Sequence, residues 1–191
     1  APNSLIINSA FTEPQQHWAE NADRTLRLEP VRRPAGYEII DTRENTRRQV
    51  SIPLVDTIRD RVRQWRLDGW PGTTAVTQGL LQHWWDADKV SRRQWPFYFC
   101  QLEAIETLIW HLEALPEYSQ GIHIQGDGGE FERLCNKMAT GSGKTTVMAM
   151  IITWQVLNAL TYPKRNKDFS RAVFIVAPGL TVKERLQVLL P

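Results

Sequence analysis

A glycine-bracketed turn between an apolar extended segment and a long apolar helix constrains this chain more than any other stretch. The turn is Gly141-Ser142-Gly143, and Lys144 and Thr145 occupy the first positions of the predicted helix. A strand, a tight turn and a helix N-terminus in this order direct several backbone N–H groups and the positive end of the helix dipole at one point. Glycine adopts backbone conformations that other residues resist, and it allows close approach to a ligand. The stretch therefore predicts a binding site for an anion of phosphate size.

The residue types around this turn predict a nucleoside-triphosphate site with ATP and Mg²⁺ as cofactors. We predict that Lys144 and Thr145 are the catalytic residues: the lysine reaches the β- and γ-phosphates, and the threonine hydroxyl ligates Mg²⁺. The remaining predicted phosphate contacts come from the loop and first helical turn: Thr140, Gly141, Ser142, Gly143 and Thr146. The alternative is an ordinary surface turn, but a helix dipole repels a lysine at this position unless an anion is bound.

A second candidate for nucleotide recognition lies upstream of the turn. Apolar residues from Leu102 to Leu115 recur at helical spacing, and Gln101 starts this predicted helix beneath an aromatic cluster. A side-chain amide offers a donor and an acceptor together, as the N6/N7 edge of adenine requires. A glutamine that merely begins a helix is the alternative. Its position before the loop favours adenine recognition, with Phe99 or Tyr98 packed nearby.

Composition excludes several classes of protein. The chain has 191 residues and an ordinary apolar content of 42%. Its net charge of +2 permits nucleic-acid binding without requiring it. The two cysteines and the four scattered histidines lack the spacing of metal ligands. The cysteines are therefore expected to be buried, reduced thiols. The longest apolar run, 147–160, is too short to span a bilayer, and the chain shows no secretory leader. We therefore expect a cytoplasmic protein with no membrane partner.

The first half of the chain predicts an arm followed by helices. Residues 24–48 are rich in arginine and broken by prolines, which favours a solvated arm over a nucleic-acid contact because acidic residues are interspersed. A short helix is predicted after Pro14, and further helices at Pro53 to Leu67 and at Thr77 to Trp85. The many tryptophans lie on apolar faces or beside turns and are expected in the core rather than stacked on bases.

The second half predicts an α/β unit. The apolar run 172–177 is typical of a parallel strand buried on both faces, and Thr181 to Leu190 reads as a further helix. Strand, loop, helix, strand and helix begin a right-handed α/β unit with a parallel sheet. We expect a mainly helical N-terminal arm and accessory region over 1–92 and a nucleotide-binding domain over 93–191. The start at Ala1 and the end at Pro191 indicate a fragment of a larger protein.

Several stretches resemble one family. Residues 138–145, Met-Ala-Thr-Gly-Ser-Gly-Lys-Thr, resemble motif I of superfamily-two helicases and translocases, in the form found in motor subunits of type I and type III restriction enzymes. Residues 97–110 are similar to the adenine-recognition segment of that family, and 173–183 to its motif Ia region. The N-terminal region resembles a branch of DEAD/DEAH-box proteins that are similar to the Res subunit of type III restriction enzymes. The resemblance lies in Arg-Arg-Pro-Ala-Gly-Tyr at 32–37 and Trp-Pro-Gly at 70–72.

This resemblance implies a RecA-like P-loop domain, truncated here before the acidic Walker B box. It implies a parent ATPase that hydrolyses ATP to move along double-stranded DNA in a restriction system directed against phage. A modification or nuclease subunit is the implied protein partner, and Thr181 and Lys183 are implied DNA-phosphate contacts. The fragment alone is expected to bind nucleotide weakly and to hydrolyse almost none.

Two other functions remain open at this point. The first is an RNA helicase of the DEAD-box kind, which shares motif I. The second is a non-catalytic nucleotide-binding or scaffold module with a vestigial loop. The intact Lys144 and Thr145 argue against the scaffold module.

Overall fold

The computed structural model describes residues 5–41, 43, 46–86, 93–126, 128–131, 133–176 and 186. In chain order the elements are strands β1 (His17–Glu20), β2 (Leu26–Glu29), β3 (Gly36–Asp41) and β4 (Thr46–Ser51), then helices α1 (Pro53–Leu67), α2 (Ala75–Trp85), α3 (Phe99–Glu113), α4 (Pro116–Ser119) and α5 (Lys144–Thr161). Of the helix predicted at 181–190, only Leu186 is among the described residues, and it is helical.

The arm forms two antiparallel β-hairpins, where the sequence analysis predicts a solvated arm. Strand β1 pairs with β2, and β3 pairs with β4 in the register Gly36 to Ser51. The segment predicted as a short helix after Pro14 is strand β1. A tight turn favours the hairpin: the Asn21 N–H donates to the carbonyl of Thr25, and Arg24 adopts a φ of 66°. Cross-strand pairing through this turn outweighs the weak helical spacing of these short segments.

Helices α1 and α2 confirm the predicted accessory helices. Pro53 occupies the first turn of α1, where a missing N–H costs no hydrogen bond, and the backbone reverses at Gly69 with a φ of 82°. Helix α2 starts two residues earlier than predicted, because the Thr74 side chain accepts a hydrogen bond from the N–H of Thr77 and caps the helix.

A single apolar core joins the accessory helices to the later part of the chain. Its largest fully buried side chains are Trp65 of α1, Trp110 of α3 and Trp154 of α5. The predicted core role of tryptophan is thus confirmed for most of the set, although Trp95 is 80% exposed. Helix α3 contacts α1, α2 and α5, so it is the central element that relates the accessory helices to the glycine loop.

A polar cluster is buried in the same interface. The Glu113 carboxylate of α3 accepts hydrogen bonds from the Trp154 indole at 2.6 Å and from the Thr77 hydroxyl at 2.8 Å. The Asn158 amide donates to Thr77 at 2.9 Å, and the Thr74 hydroxyl donates to Asn158. These satisfied groups fix α2, α3 and α5 in one register, because a shift of any helix would leave buried polar atoms unpaired.

The predicted parallel sheet is not observed in the described part of the chain. Residues 133–139 and 172–176 have no ladder partner there, and the described sheets are the two antiparallel hairpins. Phe174 is 91% exposed, unlike a residue of a strand covered on both faces. A strand requires a hydrogen-bonded neighbour, and no described segment pairs with either stretch. The observed class is mixed α/β with small antiparallel sheets.

Candidate functional site: a glycine loop at the start of α5

The predicted turn forms a closed loop at the N-terminus of α5. Gly141 and Gly143 both adopt left-handed backbone conformations, with φ of 79° and 76°, and Gly143 is the N-cap residue. The Ser142 hydroxyl donates to the carbonyl of Ala139 at 2.7 Å, and the Thr146 N–H donates to the carbonyl of Gly143 at 3.0 Å. The two glycines therefore serve the conformational purpose that the sequence predicts.

The loop presents unpaired backbone donors. Within the described residues, the N–H groups of Gly143, Lys144 and Thr145 have no protein acceptor. The first N–H groups of any helix lack intrahelical partners, and at this end the helix dipole of α5 adds partial positive charge. The geometry suits an anion with several acceptor oxygens.

Two side chains predicted to act on the phosphates border these donors. Lys144 is exposed, and its ammonium donates to the carbonyl of Ala139 at 2.8 Å, so the lysine is folded over its own loop. Thr145 is half-buried, and its hydroxyl has no partner among the described residues. Thr140 is exposed and Thr146 is half-buried on the first turn of α5. A carbonyl is a weaker partner for an ammonium than a phosphate is, and a bound phosphate could displace it.

Gln101 contacts this loop directly. Its side chain is buried, its Oε1 accepts from the Tyr98 N–H at 3.0 Å, and its Nε2 donates to the carbonyl of Ser142 at 3.0 Å. A Cβ on residue 143 would overlap Nε2 of Gln101. Glycine at this position therefore also allows the Gln101 amide to approach the loop. The structure thus brings Gln101 to the phosphate-loop residues, and its recognition of adenine stays a prediction.

Phe99 and Tyr98 differ in environment. The Phe99 ring is buried, with an edge contact to Trp85 at 6.1 Å between centroids and the Arg32 guanidinium 5.4 Å above it. Tyr98 is partly exposed and contacts Phe11 at a centroid distance of 5.5 Å. Of the two rings, Tyr98 is the more accessible to a ligand.

Arm residues at the start of α3 are the part of the site that sequence reasoning missed. The Phe99 N–H donates to the carbonyl of Ala10 at 2.9 Å, and Arg32 forms an ion pair with Glu103 at 2.8 Å. Local spacing carries no signal for these contacts, because the partners lie about 70 to 90 positions apart in the chain. Only the alternation of arginine and acidic residues in the arm hinted at ion pairing.

Burial and charge set the titration of this cluster. Burial raises the pKa of Glu13, but hydrogen bonds and charge from Arg63 and Arg32 outweigh it and hold the pKa below its ordinary value. Burial lowers the pKa of Arg32, and the hydrogen bond and charge of Glu103 more than reverse this, so the pKa is raised overall. Glu13 and Arg32 therefore stay charged at neutral pH.

A groove borders the loop on the side facing α1. Its volume is about 400 Å³, within the range of small-ligand sites. Its walls come from α1, from α3 and from residues 136–139, with Ser142 at one end. Both Arg59 and Lys137 contribute positive charge to it, and Glu103 contributes negative charge.

Three further expectations concern the cysteines, the metal ligands and the DNA contacts. Cys100 and Cys135 are exposed free thiols, which corrects the expected burial; the thiol of Cys100 lies 4.0 Å from the carbonyl of Ser142. Within the described ranges, no cluster of three or more potential metal ligands occurs. Thr181 and Lys183 lie outside the described residues, so the structure does not place these predicted DNA contacts.

The fold and this loop define a mixed α/β protein with a glycine loop at a helix N-terminus. Residues 95–187, just under half of the chain, match the family model of the type III restriction enzyme, res subunit. This match supports the resemblance to restriction enzymes that motif I indicates. No curated protein and no solved structure matches the chain. None of the helices in the described segments has the length and apolar character needed to cross a membrane.

Proposed function

We propose that this chain is the ATP-binding part of an ATP-dependent DNA helicase or translocase of a restriction system. The single observation that carries the proposal is the loop 139–146, whose two left-handed glycines and free N–H groups lie at the start of α5. The match of residues 95–187 to the res subunit family supports a helicase-like, ATP-dependent function in a restriction-type system. The finer assignment, to superfamily-two DEAD/DEAH-box motors, rests on the residues of motif I.

The residues at the loop fit the triphosphate of ATP. The free N–H groups of Gly143, Lys144 and Thr145 would bind phosphate oxygens, and the lysine would exchange the carbonyl of Ala139 for a phosphate oxygen. Thr145 would hold Mg²⁺ through a hydroxyl that is free of protein partners in the described residues. When bound, Mg²⁺ neutralises charge on the phosphates during transfer of the terminal phosphoryl group to water. The chain's own groups act by positioning and charge compensation.

The base would lie towards the start of α3. Gln101 is the candidate for adenine recognition, and its amide is shared with the Tyr98 N–H and the Ser142 carbonyl. Each amide oxygen has two lone pairs and each amide nitrogen two hydrogens, so one acceptor site and one donor remain for a base. The Phe99 ring is buried, and Tyr98 offers a partly exposed ring.

The wider biology follows the same proposal. Double-stranded DNA is the proposed track, Thr181 and Lys183 are proposed phosphate contacts, and a modification or nuclease subunit is the proposed protein partner. We place the protein in the cytoplasm and the domain boundary between residues 92 and 93. An RNA helicase and a non-catalytic nucleotide-binding module are the competing functions. The free Thr145 hydroxyl and the intact Lys144 favour a working site over the second of these.

Binding of ATP·Mg²⁺ to the 191-residue chain tests the proposal. We expect binding by the wild type and its loss in Lys144→Ala. In Gln101→Ala we expect loss of the preference for ATP over competing GTP. Lys164→Ala is the matched control, because Lys164 is exposed and lies beyond the C-terminus of α5. A folded wild type that shows no binding at millimolar ATP, or unchanged binding in Lys144→Ala, would contradict the assignment.

A further inference from the structure

The N-terminal arm is attached to the first turn of α3 by contacts of three kinds. The Ala10 carbonyl accepts the Phe99 N–H at 2.9 Å, which pairs one of the free donors at the helix start. The Phe11 ring lies against Tyr98 at 5.5 Å, and the Arg32 guanidinium lies 5.4 Å from the Phe99 centroid. These contacts join residues about 70 to 90 positions apart.

Arg32 is the electrostatic centre of this attachment. It donates to Glu103 of α3 at 2.9 Å and to Glu13 of the arm at 3.2 Å, with its side chain only 19% exposed. Two arginines of α1 complete the cluster: Arg63 binds Glu13 at 2.5 Å, and Arg59 lies 3.5 Å from Glu103. Partly buried, hydrogen-bonded charges of this kind are screened less than exposed pairs and hold their geometry.

The same helical turn reaches the glycine loop through Gln101. Only Leu102 separates Gln101 from Glu103 in the chain. The Nε2 of Gln101 donates to the carbonyl of Ser142 at 3.0 Å and lies against Gly143. The path from arm to loop is therefore Arg32, the first turn of α3, Gln101 and Ser142, and each step is a direct contact. A displacement of this turn would move the amide that supports the Ser142 carbonyl.

We propose that Arg32 is a positioning residue for the nucleotide site, which acts by holding the first turn of α3 so that Gln101 keeps the glycine loop in its binding geometry. The arm is then a working part of the site. This inference rests on the proposed ATP binding and adds to it a residue outside the region that matches the restriction-enzyme family. It also assigns a role to the arginine-rich segment other than contact with nucleic acid.

A double-mutant cycle on the full 191-residue chain tests the inference. Arg32→Met keeps an unbranched aliphatic side chain and removes the guanidinium, which pairs with Glu103 and lies over Phe99. We expect it to weaken ATP·Mg²⁺ binding by about three- to tenfold, the range seen for residues coupled to a site without touching the ligand. In a Gln101→Ala background we expect the same substitution to change the affinity less than twofold, because the connection to the loop is already lost. A merely structural role would give equal effects in both backgrounds.

Arg27→Met is the matched control, because Arg27 is an exposed arginine of the same arm that pairs with the neighbouring Glu29. We expect its ATP affinity to equal that of the wild type. Thermal unfolding of each variant checks that the fold persists, and Arg32→Lys, which keeps the charge, should recover part of the affinity. If Lys144→Ala abolishes binding while Arg32→Met binds like the wild type, the positioning role is refuted and the ATP site stands. If Arg32→Met does not fold, Glu103→Gln provides the same test from the other partner of the ion pair.

Discussion

The amide nitrogen of Gln101 donates a 3.0 Å hydrogen bond to the carbonyl of Ser142, across a contact so close that a side chain at residue 143 would displace the amide. Helix α3 and the glycine loop are thereby joined at one point. Gly143 is constrained twice, since its φ of 76° lies in the left-handed region and its Cα faces the Gln101 amide. Gly141 has nearly the same φ but open space around it.

This difference predicts unequal effects of alanine at the two glycines. Gly141→Ala should destabilise the fold by about 1 kcal/mol, the cost of a left-handed non-glycine residue. Gly143→Ala should cost about 2 kcal/mol or more, because steric overlap with Gln101 adds to the same backbone strain. Chemical denaturation measures both. In the double variant Gly143→Ala with Gln101→Ala the overlap is relieved, so its cost should be below the sum of the single effects; strict additivity would show that the contact is unimportant.

The Thr145 hydroxyl predicts a metal-specific effect. Thr145→Val keeps the volume and removes the proposed Mg²⁺ ligand. We expect the gain in ATP affinity that Mg²⁺ confers on the wild type to fall by about tenfold, while affinity for metal-free ATP changes little. ATP titrations in the presence of Mg²⁺ and in the presence of EDTA measure these two affinities separately. Thr161→Val at the other end of α5 is the control, and an undiminished Mg²⁺ effect in Thr145→Val would remove this residue from the metal site.

The half-buried Glu113 predicts a large loss of stability when it is replaced. Its carboxylate accepts from the Thr74 N–H, the Thr77 hydroxyl and the Trp154 indole. Glu113→Ala removes the acceptor of the Thr74 N–H and of the Thr77 hydroxyl, and leaves the Trp154 indole only its longer contact with Thr77 at 3.1 Å. The substitution should therefore lower the free energy of unfolding by about 2 to 4 kcal/mol. Glu117→Ala, at an exposed position in α4, should change it by less than about 0.5 kcal/mol. Equal unfolding midpoints of Glu113→Ala and the wild type in denaturant would show that these hydrogen bonds contribute nothing to stability.

Glu106 predicts a pH dependence of stability. Burial raises its pKa to about 7, although the charge of Arg66 and the Trp70 indole oppose the shift. A carboxyl whose pKa is higher in the folded state favours folding when protonated, and this contribution is lost as pH rises from about 4.5 through about 7. Glu106→Gln removes the titration. Relative to this variant, the wild type should therefore lose on the order of 2 kcal/mol between pH 5 and pH 8.

Denaturant unfolding of both proteins at several pH values checks this difference. The comparison with Glu106→Gln cancels the other carboxyls, including Glu13, whose lowered pKa acts in the opposite direction. A constant stability difference across the range would mean that Glu106 is ionised in the folded state throughout.

Features that depend on a few neighbouring residues could be predicted from the sequence, and features that depend on distant residues could not. The bounds of α1 were predicted at both ends, because Pro53, the apolar spacing and Gly69 are signals within one segment. The loop at Gly141 and Gly143 was predicted for the same reason. The hairpins of the arm were missed, since strand pairing depends on the partner strand, and the parallel sheet is not seen in the described residues because neither predicted strand has a neighbour there.

By itself the sequence determined the glycine loop, the four longer helices and the residues offered to a phosphate, since left-handed turns, helix caps and amphipathic spacing act over a few residues. Only the tertiary structure decided what Gln101 and Arg32 contact. One amide is brought to the Ser142 carbonyl and one arm guanidinium to Glu103, across 41 and 71 positions of the chain. Such contacts depend on how α3 packs between the accessory helices and α5, and that packing arises from the whole buried core.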